Sequence, residues 1–366
     1  MRKVALGGQT KKGQIMMSQH MKRSGNSRSK TRSIVKWLLI SLASVLLFAI
    51  GLMVWFIMSL FSAPDLTNLP LYHPFKSAKA QEQYLNYYDT RAKQWPVASE
   101  SKYVDTSYGN TFVRISGSPD APVLVLLPSV GASSLIWLPN VKTLSEHYRV
   151  YAIDNIYDVG RSVYTRAIKS SDDLVAWLDE VITVLELGDH ISLMGLSFGG
   201  WITSQYALNF PHRLHKIVMI APVATVLPIP FEWAWRGIFS AMPGRSMMKK
   251  FMVDWAFQDL VRKQDDVSRK AVEDILNDAV MGLRCFKFKM PVTPTVLEDQ
   301  EWQSIHVPAL FLVGEHEVVY SAQEAIHRLN TVAPHITTEM IPNASHDLTI
   351  VQAEMVNTKV IEFLSP

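Results

Sequence analysis

Short, nearly unbroken apolar runs alternate along most of the chain with stretches whose apolar residues recur every three or four positions. The runs at 123–127, 149–154, 191–194, 216–221, 307–313 and 336–341 predict strands of a sheet covered on both faces, because such strands lack a polar side. Helices are predicted between them. Leu174, Leu178, Val181, Ile182 and Leu185 mark one, with Ser170 or Ser171 as its cap; 322–330 and 351–363 are two more. Ahead of the runs, 101–107 and 111–116 alternate apolar and polar residues around Tyr108-Gly109-Asn110, a hairpin pattern. A helix over 76–93 precedes them and is stopped by Trp95-Pro96. The class predicted is α/β, with an antiparallel N-terminal hairpin feeding a mostly parallel, doubly wound sheet.

Two segments break this rhythm. Residues 223–303 carry Phe231, Trp233, Trp235, Phe239, Phe251 and Trp255 and read as a helical cap inserted into the sheet domain, whose parts are 101–222 and 304–366. Its inner face is expected to form an apolar acyl or aryl pocket. Residues 37–61 contain no charge, and as a helix would extend ~37 Å against a hydrocarbon core of ~30 Å. A transmembrane anchor over 34–62 is therefore expected, making the lipid bilayer a partner through this N-terminal helix. Residues 1–33 hold nine Lys or Arg and no acid. The positive-inside rule then puts that basic tail in the cytoplasm and everything beyond the anchor, starting with a linker and N-terminal helix over 63–100, outside the cell membrane. Beyond residue 36 the chain has 26 bases against 33 acids, a net of −7, which argues against nucleic acid as a partner. The single cysteine, Cys285, excludes an internal disulfide and reads as a packed apolar side chain. No metal-ligand spacing appears.

The chemistry centres on Gly195-Leu196-Ser197-Phe198-Gly199-Gly200, which lies between a predicted strand and a predicted helix. A serine on so sharp a turn is exposed at a helix N-terminus, where developing negative charge is favoured. Its hydroxyl becomes a nucleophile only when a base takes its proton and a carboxylate orients that base. His346 lies in the turn-rich loop Asn343-Ala344-Ser345-His346 after the last predicted strand. Glu315 and Glu317 both leave the preceding strand, and the pattern does not choose between them. The order serine, acid, histidine is that of an α/β-hydrolase.

The chain resembles the α/β-hydrolase family, and the run Gly314-Glu315-His316-Glu317-Val318-Val319-Tyr320, the Asn343–His346 loop and Trp95-Pro96-Val97 are similar to bacterial carboxylesterases of the carboxylesterase NP (naproxen esterase) type. The similarity spans about residues 75–365. It implies an α/β-hydrolase fold and hydrolysis of carboxylic esters without a cofactor, with Ser197 as nucleophile, Glu317 as acid and His346 as base. Relatives usually carry His-Gly after the first parallel strand, where this chain has Pro128-Ser129. Val130 N–H is then the expected oxyanion donor beside Phe198 N–H. The loop 154–162 also resembles the family's and reads as structural. Thioester, lactone or carbon–carbon hydrolysis on the same residues, and a non-catalytic ligand-binding domain, are the alternatives. Epoxide hydrolysis and dehalogenation are disfavoured, because those enzymes carry aspartate where this chain has Ser197.

Overall fold

The computed structural model describes residues 36–45, 47–48, 51, 54 and 58, then 65–242, 244–287 and 292–365. The chain divides into two units, Met1–Ser59 and Leu60–Pro366. The basic tail at 1–33 lies outside the described residues. In the first unit, 36–45 form an unbroken described helix of ten residues, a rise of about 15 Å and half of a hydrocarbon core. Among the described residues no helix is long and apolar enough to cross a membrane. This overturns the transmembrane anchor expected over 34–62. With it fall the bilayer as a partner and the single-pass placement of tail and domain on opposite sides of a membrane. A run without charge measures composition, whereas spanning requires continuous helix of sufficient length; 46, 49–50, 52–53, 55–57 and 59–61 of that run are outside the described residues.

The second unit is built on one mixed sheet. Its strands are β1 (Ser99–Thr106), β2 (Gly109–Ser116), β3 (Val123–Leu127), β4 (Arg149–Ile153), β5 (Val163–Tyr164), β6 (Ile191–Leu196), β7 (Leu214–Ile220), β8 (Ala309–Gly314) and β9 (Thr337–Ile341). The order across the sheet is β1-β2-β4-β3-β6-β7-β8-β9, with β5 pairing β2. From β4 to β9 the pairs are parallel, while β1, β2 and β5 pair antiparallel. The hairpin turns at Ser107-Tyr108, since Thr106 faces Gly109. That is one residue earlier than the glycine-centred turn expected, and it frees Gly109 and Asn110 to pair with β5.

Both faces are covered, which is why the strands read as continuous apolar runs. Val125, Leu127, Ile217, Met219, Phe311 and Val313 point to one core with Trp177, Trp201 and Trp302. Leu124, Leu126, Val218, Ile220, Leu310 and Leu312 point to the other with Trp137 and Tyr88. Each fully buried Leu, Ile or Phe contributes about 1.5–3 kcal/mol relative to exposure. The flanking helices include α1 (Ala78–Ala92), α2 (Ser171–Val184), whose first turn is capped by the Ser170 hydroxyl, and α3 (Phe198–Asn209). Between β7 and β8 come, among others, α4 (Phe231–Ser240), α5 (Gln258–Lys263) and α6 (Asp266–Cys285); α7 (Ala322–Val332) follows β8 and α8 (Ala353–Leu364) follows β9. Cys285 ends α6 fully buried. Because β6, β8 and β9 run parallel, the loops leaving their C-terminal ends share one edge of the sheet.

Candidate active site

Ser197 occupies the single position between β6 and α3, with φ 55° and ψ −111°. A non-glycine residue in that region costs about 1–3 kcal/mol, so it persists only where its surroundings hold it. Here they do. Ser197 N–H donates to the Ile220 carbonyl at 2.8 Å, and the Ser197 carbonyl accepts from Trp201 N–H at 3.0 Å and Val223 N–H at 3.2 Å. A Cβ on Gly199 would sit 2.4 Å from the Leu127 carbonyl oxygen and 2.7 Å from that of Pro128. Glycine at this position is what lets the helix start against the chain leaving β3.

The loops that carry Glu317 and His346 are joined before any side chain is considered. Glu315 N–H donates to the Ile341 carbonyl at 2.9 Å, and His316 N–H to that of Ala344 at 2.8 Å. A Cβ on Gly314 would meet the Ser345 and Ala344 oxygens at 2.3 and 2.4 Å, so a glycine at the end of β8 is required for this approach. On the frame so made, Glu317 Oε2 lies 2.9 Å and Oε1 3.1 Å from His346 Nδ1. The Glu317 side chain has no solvent exposure, and Val318 and Val319 N–H donate to its Oε1 at 2.8 and 2.9 Å. Burial pulls the His346 pKa down, but the charge and hydrogen bond of Glu317 outweigh it, leaving the imidazole above its ordinary value. Glu315 faces elsewhere: its Oε2 accepts Asn343 N–H at 3.0 Å, and its side chain is 42% exposed.

The structure therefore brings Glu317 and His346 into contact and Ser197 to the same sheet edge. Among the described residues no hydrogen bond joins the Ser197 hydroxyl to His346, whose Nδ1 is taken up by Glu317. Val130 and Phe198 are half-buried, and among the described residues neither N–H has a hydrogen-bond partner. Phe198 stacks on Trp201 with centroids 5.6 Å apart. Three acids unforeseen in the sequence also meet these loops. Asp259 of α5 holds His316 Nδ1 at 3.1 Å, buried Asp347 accepts Leu260 N–H at 2.8 Å, and buried Asp158 accepts Gly131 N–H. The local signals were the adjacency of Asp347 to His346 and the family-like loop 154–162 that contains Asp158. Among the described residues no group of His, Cys, Asp and Glu could hold a metal ion.

A strained serine between strand and helix, with a histidine–carboxylate pair two strands away, defines an α/β-hydrolase, and residues 122–353 match the family model for the alpha/beta hydrolase fold. The chain belongs to that family and is a carboxylesterase-type member. It is 32% identical over 294 residues to carboxylesterase YbfK of Bacillus subtilis, covering 79% of this chain and 96% of that one. To the uncharacterized carboxylesterase nap of the same organism it is 32% identical over 286 residues, covering 77% and 92%. The crystal structure of naproxen esterase (carboxylesterase NP) from Bacillus subtilis superimposes with a TM-score of 0.72 at 30% identity, covering 79% of this chain and all of that one.

Proposed function

We propose that the protein hydrolyses carboxylic esters with an apolar acyl or aryl group, using Ser197 as nucleophile, His346 as base and Glu317 to orient the imidazole. His346 Nε2 takes the hydroxyl proton as Ser197 Oγ bonds to the ester carbonyl carbon. The carbonyl electron pair moves to oxygen, where Val130 and Phe198 N–H receive it. Collapse expels the alcohol, which leaves with the proton from Nε2. Water then adds to the acyl-enzyme in the same manner, and the carboxylic acid departs from Ser197. Glu317 accepts from Nδ1 throughout, keeping that proton in place and stabilising the imidazolium.

The observation that carries this reading is the 2.9 Å contact between a fully buried carboxylate and His346 Nδ1. Held in that tautomer, the ring leaves Nε2 to act as a base. The carboxylesterase names of the relatives support the ester class, and the half-buried Phe198 next to the nucleophile supports an apolar group on the substrate. A fluorophosphonate probe and a simple aryl ester test it together. Both labelling and turnover are expected in the wild type and lost in Ser197→Ala of unchanged melting behaviour. A folded wild type that neither labels nor turns over ester refutes the proposal.

A further inference from the structure

We infer that Asp158 is a positioning residue that fixes the oxyanion loop, an inference that rests on the esterase reading above. The loop 128–131 follows β3 and closes on a β-turn, in which Ala132 N–H donates to the Ser129 carbonyl at 3.2 Å and Gly131 takes φ 72°. That turn is gripped in addition from the loop after β4. Gly131 N–H points between the two carboxylate oxygens of Asp158, at 3.0 and 2.9 Å. Val159 N–H, at 2.7 Å from Oδ1, locks the same carboxylate in place. Asn155 Nδ2 makes a long 3.4 Å contact to the Pro128 carbonyl, and Asp154 Oδ1 accepts Ser134 N–H at 2.7 Å. Val130 thus lies between two held points, and its own N–H is left without a partner among the described residues.

Asp158 is buried, and among the described residues no cation forms a salt bridge with it. An unpaired buried carboxylate opposes folding. Its contacts are two peptide N–H groups, one of them adjacent to the donor residue, and a donor displaced by even a fraction of an ångström no longer meets the oxyanion.

The test compares Asp158→Ala and Asp158→Asn with wild type on an aryl ester and against a trifluoromethyl ketone, whose adduct with Ser197 carries the oxyanion. In either folded variant kcat is expected to fall and the ketone Ki to rise by a common factor of about tenfold or more, with KM changed by less than about threefold. Asparagine keeps the side chain's shape and one carbonyl acceptor, so it decides the question if alanine does not fold. A folded variant in which Ki changes by less than that factor, or in which the loss falls on KM, overturns the inference. So does a lowered melting temperature with kcat intact, the signature of a purely structural bond. A wild type without esterase activity refutes the underlying reading, and this one with it; an active wild type with indifferent variants refutes this one alone.

Discussion

Glu315 and Glu317 leave β8 two residues apart, and their side chains meet different partners. Glu315 receives a backbone N–H of the neighbouring loop and is substantially exposed, whereas Glu317 is buried against His346. Glu317→Gln should therefore slow aryl-ester turnover by about a thousandfold or more with KM largely kept, and Glu315→Gln should stay within about threefold of wild type. Turnover of both variants, each checked by thermal melt, decides it; the opposite ranking refutes the assignment of the acid. The same contact fixes a pH dependence. His346 lies above 6.5 when folded, because Glu317 outweighs burial, with Asp347 adding to it. On the proposed mechanism it must be neutral to act as base, so the acid limb of kcat/KM should have its midpoint above 6.5. For stability the sign is opposite: the pair's contribution is present below the unfolded pKa of 6.5 and fades as pH rises through the folded one. Burial also pushes Asp158 up to about 7, so a rate profile alone mixes two groups. NMR titration of the His346 ring separates them, and a midpoint at or below 6.5 would contradict the dominance of Glu317.

At the level of elements, the first turns of the α5 region hold both site loops. Gln258 Nε2 donates to the His316 carbonyl, Asp259 engages the His316 ring, Ser345 Oγ donates to the Ala256 carbonyl, and Asp347 takes Leu260 N–H. These bonds are unequal. His316 is 40% exposed, so water competes for its pairing with Asp259 and the bond is worth at most about 1 kcal/mol. Asp347 is fully buried and also accepts the Ser345 N–H and hydroxyl, each at 3.0 Å. Asp347→Ala leaves the Leu260 and Ser345 N–H groups unsatisfied, while the Ser345 hydroxyl keeps the Ala256 carbonyl, and should cost about 2–4 kcal/mol, against less than about 1 kcal/mol for His316→Ala. Urea unfolding of the two variants measures this. Equal small losses would mean that α5 merely rests on the loops.

Across the whole molecule, what could be read from sequence was what is local. The strands were legible because both of their faces are buried, so Leu124 and Val125 are equally apolar although they enter opposite cores. Ser197 and His346 stood out by their turn chemistry, while pattern could not separate Glu315 from Glu317, and only the family resemblance favoured Glu317. The two-residue β5 was too short for any periodicity, and its pairing moved the hairpin turn. Asp259, Asp347 and Asp158 meet partners 57, 87 and 27 residues away, distances at which no pattern operates. The uncharged run at 37–61 misled because apolarity alone does not set the length of a helix. The order of strands also has a consequence in time. The turn at Ser197 needs only β3, β6 and β7, all of which precede the helices inserted before β8. At ribosomal speed Glu317 emerges roughly ten seconds after Ser197, and His346 later still. Throughout that interval the nascent chain can carry the bent serine with no base to awaken it, so on the proposed mechanism an interrupted translation product is inert rather than indiscriminate.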